Sequence, residues 1–145
     1  WRCRMSGVRA SGRLAGLAAA ALLLGGTPAF GQEFQPYPQP KVTPEQYAAY
    51  AEQVRQAFGF TADVIREDNV IVFSDERTRT FWVFTTKDNP AHPAWITRQM
   101  VEEDGEVRVK QIGYYAGSEP AFAKLFRAYQ DRNAKLMEDV ARRNQ

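Results

Sequence analysis

Cysteine is nearly missing from this chain: Cys3 is the single one among 145 residues. An intrachain disulfide is therefore excluded, and so is thiolate chemistry anywhere beyond that position. Histidine is equally scarce. His92 stands alone, whereas a metal site of the usual kind draws on several imidazole or thiolate ligands. No apolar run reaches the roughly 20 residues that a membrane-spanning helix needs. Excess charge of one sign is lacking as well, with 19 basic against 17 acidic residues, so the strong basic surplus of a phosphate-backbone binder is not there. Neither a glycine-rich phosphate loop nor a G-x-S-x-G nucleophile elbow occurs.

What is present begins with an export signal. Arg9 and Arg13 precede the apolar run Leu14–Leu24, and Thr27-Pro28-Ala29-Phe30-Gly31 follows it. A positive segment, a short apolar core and a small-x-small site make up a secretory signal peptide. Ala29 and Gly31 suit the small subsites of the peptidase, so residues 1–31 are expected to be removed, leaving Gln32 as the new N-terminus. Met5 is the first methionine, and residues 1–4 read as upstream translation. Cys3 and four of the basic residues lie in this segment, which leaves 15 basic against 17 acidic residues, a net charge of −2. The expected location is the periplasm or the cell exterior, with no integral span after cleavage and no nucleic-acid partner.

Residues 32–42 carry Pro36, Pro38 and Pro40, which remove backbone donors and favour extended chain. They read as a linker to a single α+β domain over residues 43–145. Thr43-Pro44-Glu45-Gln46 has the form of a capping box. Tyr47, Tyr50, Ala51, Val54, Ala57 and Phe58 then recur at helical spacing, with Gly59 placed to end the helix in the left-handed conformation. A meander of about four antiparallel strands follows, at Val70–Phe73, Arg79–Thr86, Trp95–Val101 and Glu106–Tyr115, and Val64-Ile65 suggests one more short strand. Asp104-Gly105 suits a tight hairpin turn. In the last strand the apolar parity shifts between Val109 and Ile112. The shift predicts a bulge near Lys110 or Gln111, unless both faces are covered there. A long helix begins near Ser118-Pro120, with Phe122, Leu125, Phe126, Tyr129, Leu136, Met137 and Val140 as its apolar stripe. Both helices are expected on one face of the sheet.

Few residues could carry chemistry. His92 lies in a proline-shaped loop beside Trp95, and a general base needs a hydrogen-bonded partner. The acidic pairs Glu67-Asp68 and Asp75-Glu76 and the run Glu102-Glu103-Asp104 fall at turns, where carboxylates are solvated and shape the backbone. No cofactor or metal is implied. The strongest signal is Phe81-Trp82-Val83-Phe84, which projects apolar groups to both faces of one strand. With helices on one face only, the other would remain as an aromatic surface, with Trp82, Phe84, Trp95 and Tyr115 as its contact residues.

No motif ties the chain to a named family. The layout is similar to that of small envelope proteins of bacteria. It also resembles cystatin-like and nuclear-transport-factor-like architectures, where helices wrap one face of a curved antiparallel sheet, and architecture does not confer function. The leading expectation is a non-enzymatic exported module that binds a protein, a peptide or a small apolar ligand. The alternatives are a small hydrolase or isomerase using His92 with a carboxylate, and a purely structural envelope component.

Overall fold

The computed structural model describes residues 34–145; the expected signal segment and Cys3 lie outside them. The fold is α+β. Helix α1 spans Pro44–Phe58 and passes through a 3-10 turn at Gly59–Thr61 into five strands. These are β1 (Asp63–Ile65), β2 (Val70–Asp75), β3 (Thr80–Thr85), β4 (Ala94–Glu103) and β5 (Glu106–Tyr115), followed by helix α2 over Glu119–Arg143. The strands form one antiparallel sheet in sequence order. The weakly signalled Val64-Ile65 is therefore a real strand, and the sheet has five strands where about four were expected.

Local chemistry sets the element ends. Thr43 Oγ1 accepts from the Gln46 amide at 3.1 Å, and Gln46 Oε1 accepts from the Thr43 amide at 2.9 Å, completing the capping box. Ser118 caps α2, with Pro120 in its first turn. Asp104 and Gly105 join β4 to β5 with φ of 54° and 77°, the positive pair that matches the twist of a two-residue hairpin. Gly59 corrects an expectation. Its φ and ψ are −57° and −27°, right-handed, because the chain continues into the 3-10 turn rather than reversing.

Side-chain alternation divides the core in two. Trp82 pairs with Thr97, and Phe84 with Trp95, which in turn faces Tyr114 across β4–β5. These side chains and Phe73 share one face, closed by Tyr50 and Val54 of α1. Val70, Val83, Ala94 and Ile96 occupy the other face, closed by Phe122 and Tyr129 of α2. The two helices thus lie on opposite faces, not on one, and the protein is a helix–sheet–helix sandwich. A strand that is apolar on both sides leaves little choice: each uncovered face would keep several large side chains in water at about 25 cal/mol per Å².

The same arrangement removes the expected bulge. The β4–β5 register runs unbroken from Ala94↔Tyr115 to Glu103↔Glu106. Val107, Val109 and Gly113 face the α2 side, while Ile112 and Tyr114 face the α1 side, and both sides bury apolar groups. Among the described residues no helix is long and apolar enough to cross a membrane.

The β3–β4 connection is held by polar bonds rather than packing. The Thr85 hydroxyl donates to Ala94 O and accepts from the Ala94 amide, both at 3.0 Å. Asn89, 8% exposed, donates to Asp68 O at 3.0 Å and accepts from the Ala91 amide at 2.9 Å. Thr85→Val keeps the shape and leaves the Ala94 amide without its acceptor. It should lower the unfolding free energy by about 1 kcal/mol, measured by denaturant titration.

Candidate functional site

The proline-rich segment is part of the folded body from Tyr37 to Val42. Pro40 O accepts from the Tyr115 amide and the Val42 amide donates to Tyr115 O, both at 2.9 Å, so the chain runs as a short parallel addition to β5. Upstream it leaves the sheet edge and lays Tyr37 over the α1-side core. The Tyr37 ring meets Tyr50, Trp95 and Tyr114 edge-on at 6.4, 6.2 and 6.0 Å. Its hydroxyl donates to Gln46 O at 3.1 Å, and the Tyr114 hydroxyl donates to Tyr37 O at 2.9 Å. Residues 35–40 form a strap, pinned at both its sheet end and its helix end.

The strap leaves a groove on each side. The larger, about 900 Å³, lies between the strap and α1. Its apolar wall is Val54, Ala57 and Phe58, Trp82 borders its floor, and Asp75 and Arg77 of the β2–β3 turn stand at its rim. Phe58 stacks on Trp82 at 4.8 Å, and Trp82 Nε1 donates to the Tyr50 hydroxyl at 2.9 Å. Asp75 is already committed, since its carboxylate accepts from the Arg77 amide and from the Thr78 hydroxyl, each at 3.0 Å. The Arg77 side chain is exposed and has no ion pair among the described residues. The smaller groove, about 400 Å³, runs along β5 beside Ile112, Phe122 and Phe126.

The four aromatic residues singled out from sequence are not gathered on an open surface. Trp82, Phe84 and Trp95 are 5%, 3% and 0% exposed, sealed by α1 and the strap. Tyr115 projects to the opposite face, where it stacks on Phe122 at 4.9 Å. The expected open aromatic face is thus corrected: each face has its own helix, and of the four only Trp82 reaches a groove.

His92 is half-buried. Its Nδ1 lies 2.9 Å from Thr85 Oγ1 and 3.1 Å from Thr85 O. The hydroxyl proton of Thr85 goes to Ala94 O, which leaves Nδ1 as the donor. The Tyr47 ring meets the imidazole edge-on at 5.6 Å, and the Tyr47 hydroxyl donates to Thr85 O at 3.1 Å. The histidine thus braces a loop, and among the described residues no carboxylate bonds to it. No group of three or more histidine, cysteine, aspartate or glutamate side chains placed to hold a metal occurs among them either.

Burial pushes the Tyr47, Tyr114 and Tyr129 phenols above the ordinary 10.0, against opposing hydrogen bonds or nearby arginines. A folded-state pKa above the unfolded one means the stabilisation is complete below pH 10 and fades as pH rises through the folded values. The unfolding free energy should be level up to about pH 9 and fall progressively above about pH 10. Denaturant titrations across that range check this, and Tyr114→Phe should flatten the decline.

Sequence reasoning passed over Tyr37, a single aromatic in a proline-rich stretch, because nothing local shows what it will touch. Comparison with protein-family models, with curated proteins and with solved structures finds no match.

Proposed function

We propose that the protein is an exported, non-enzymatic binding module of the bacterial envelope. Its ligand is a peptide or small molecule with an apolar body, seated in the groove between the strap and α1. The signal-like N-terminal segment supports export. The observation that carries the binding reading is the groove itself. At about 900 Å³ it lies within the range of small-molecule sites, roughly 300–1,000 Å³, and it sets an apolar wall opposite the polar side chains of Gln35, Gln53, Asp75 and Arg77. Val54, Ala57, Phe58 and Trp82 take the apolar body, and the uncommitted Arg77 guanidinium takes an anionic or carbonyl end. The alternative, a hydrolase or isomerase built on His92, has weaker support because the imidazole is bonded to Thr85 rather than to a carboxylate.

Anilinonaphthalene sulfonate, an aromatic anion, is the test probe. It should bind the native protein with saturable 1:1 fluorescence enhancement. Ala57 is exposed on α1, so Ala57→Arg fills the groove while changing stability by less than about 0.5 kcal/mol. Ala57→Arg should abolish binding, and Arg77→Glu should weaken it severalfold. Unchanged binding by a folded Ala57→Arg protein, checked by near-ultraviolet circular dichroism, would reject the groove as the site.

A further inference from the structure

A second cluster lies on the other side of the sheet, under α2, and the groove makes no use of it. Arg98 of β4 projects to the α2 face, in register with Gln111 of β5. Its Nε donates to Asn133 Oδ1 at 2.8 Å, Asn133 Nδ2 donates to Gln111 Oε1 at 2.6 Å, and Gln111 Nε2 donates to Phe126 O at 3.0 Å. The chain of bonds runs one way and ends on backbone. The remaining four N–H groups of the Arg98 guanidinium have no hydrogen-bond partner among the described residues, and no carboxylate there lies within ion-pair distance of it. What faces the guanidinium is the Tyr129 ring, with its centroid 5.4 Å away.

A second cation shares that ring. The Arg132 guanidinium is 4.7 Å from the same centroid, and it is paired with Asp68 at 2.9 Å. Tyr129 is 3% exposed; its oxygen lies against the Arg132 guanidinium, and its proton meets no acceptor. The neighbouring Arg132 guanidinium has donors only, so the phenolic proton finds no acceptor there. Two arginines against one carboxylate leave a local surplus of one positive charge. Burial already pulls the Arg98 pKa down; Tyr129 opposes this shift and Arg132 adds to it. A half-buried guanidinium with an unused fork, a buried hydroxyl whose proton has no acceptor and a second cation together form a donor-rich, acceptor-poor cluster. Such a cluster is completed by an acceptor carrying negative charge.

We infer that Arg98 and Tyr129 form a binding site for a small oxyanion, a carboxylate or a phosphate, at the seam between α2 and the sheet. The planar fork of Arg98 takes two oxygens, the Tyr129 hydroxyl donates to one of them, and Arg132 supplies field rather than the fork. The surplus of one charge fits a carboxylate or a singly ionised phosphate. This site is separate from the groove and stands whether or not the groove binds a ligand.

The test follows the arginine Nε–Hε resonances of the purified protein by NMR while sodium phosphate or sodium acetate replaces sodium chloride at constant ionic strength. The Arg98 resonance should move to saturation with phosphate, acetate or both, and the resonance of Arg143, exposed at the end of α2, should not. The salt that works identifies the class of oxyanion. Arg98→Lys keeps the charge but loses the fork, and binding, followed in that variant through the Arg132 resonance at the same ring, should weaken at least tenfold. Tyr129→Phe should weaken it severalfold and leave anilinonaphthalene sulfonate binding intact. If Arg98→Lys does not fold, Arg132→Gln on the exposed side of the ring tests the field, again with weaker binding expected. The assignment is overturned if neither salt moves Arg98 saturably, or if the folded Arg98→Lys protein binds as tightly as the parent.

Discussion

Trp95→Ala is expected to lower the unfolding free energy by about 3–5 kcal/mol, enough to remove much of the stability of a domain this size. Trp95 is fully buried and stacks on Tyr50 at 4.8 Å, on Phe84 at 5.8 Å and on Tyr114 at 4.7 Å. It therefore joins α1, β3 and β5 through one ring, and the strap through Tyr37. Truncation opens a cavity under all of these at once, and neighbours held by α1 and the strap have little room to collapse into it. The Trp95 indole N–H has no hydrogen-bond partner, so Trp95→Phe should cost clearly less than Trp95→Ala. At Trp82 the order of causes differs, because its N–H is bonded to Tyr50, and Trp82→Phe loses that bond as well as volume. Guanidinium titrations of the three variants separate the two cases. A stable Trp95→Ala protein would mean that the ring is not the centre of the α1-side core.

Gly113→Ala should cost about 1–3 kcal/mol, although it adds one methyl group. An alanine Cβ at that position would stand 2.5 Å from Phe122 Cζ and 2.9 Å from Phe126 Cδ2. Gly113 is not in the left-handed region, so the requirement is close approach rather than backbone conformation. The missing side chain is what lets the first turns of α2 lie directly on β5, with Phe122 flat against Tyr115. Phe122→Leu shortens the clashing side chain. In a double-mutant cycle the cost of Gly113→Ala should therefore shrink on the Phe122→Leu background. Additive effects would show that α2 does not rest on this glycine.

Gly113 also marks where sequence reading ran out. In the linear chain it is one more residue of the last strand, and the bulge expected there falls near Lys110 or Gln111. The register shows no bulge, and the glycine answers to a phenylalanine from the next element. The parity shift between Val109 and Ile112 has the same origin. A single strand cannot say which of its faces will be covered, and here both are. The candidate site was less legible than the fold. Trp82, Phe84 and Trp95 were visible as an aromatic concentration, but whether such a concentration is a surface or a core depends on what is laid over it. Tyr37 and α1 cover it, and neither contact leaves a local pattern. Tyr129 and Arg132 are one turn apart on α2, but Arg98 lies far from them in sequence, and all three stand in otherwise ordinary settings. Their common ring exists only because α2 crosses β4 at that point.

By itself the sequence determined the order of the elements and most of their ends. A capping box, an Asp-Gly turn, helical spacing and β-rich runs act over a few residues and need no distant partner. It also determined the apolar character of both faces of β3. Tertiary structure alone decided that the helices divide between those faces and that the proline-rich strap closes one of them. It likewise decided that grooves and an unpaired arginine remain where the layers do not quite meet. Those outcomes depend on contacts between residues far apart in the chain, and their energies come from burying complementary surfaces that no local pattern encodes.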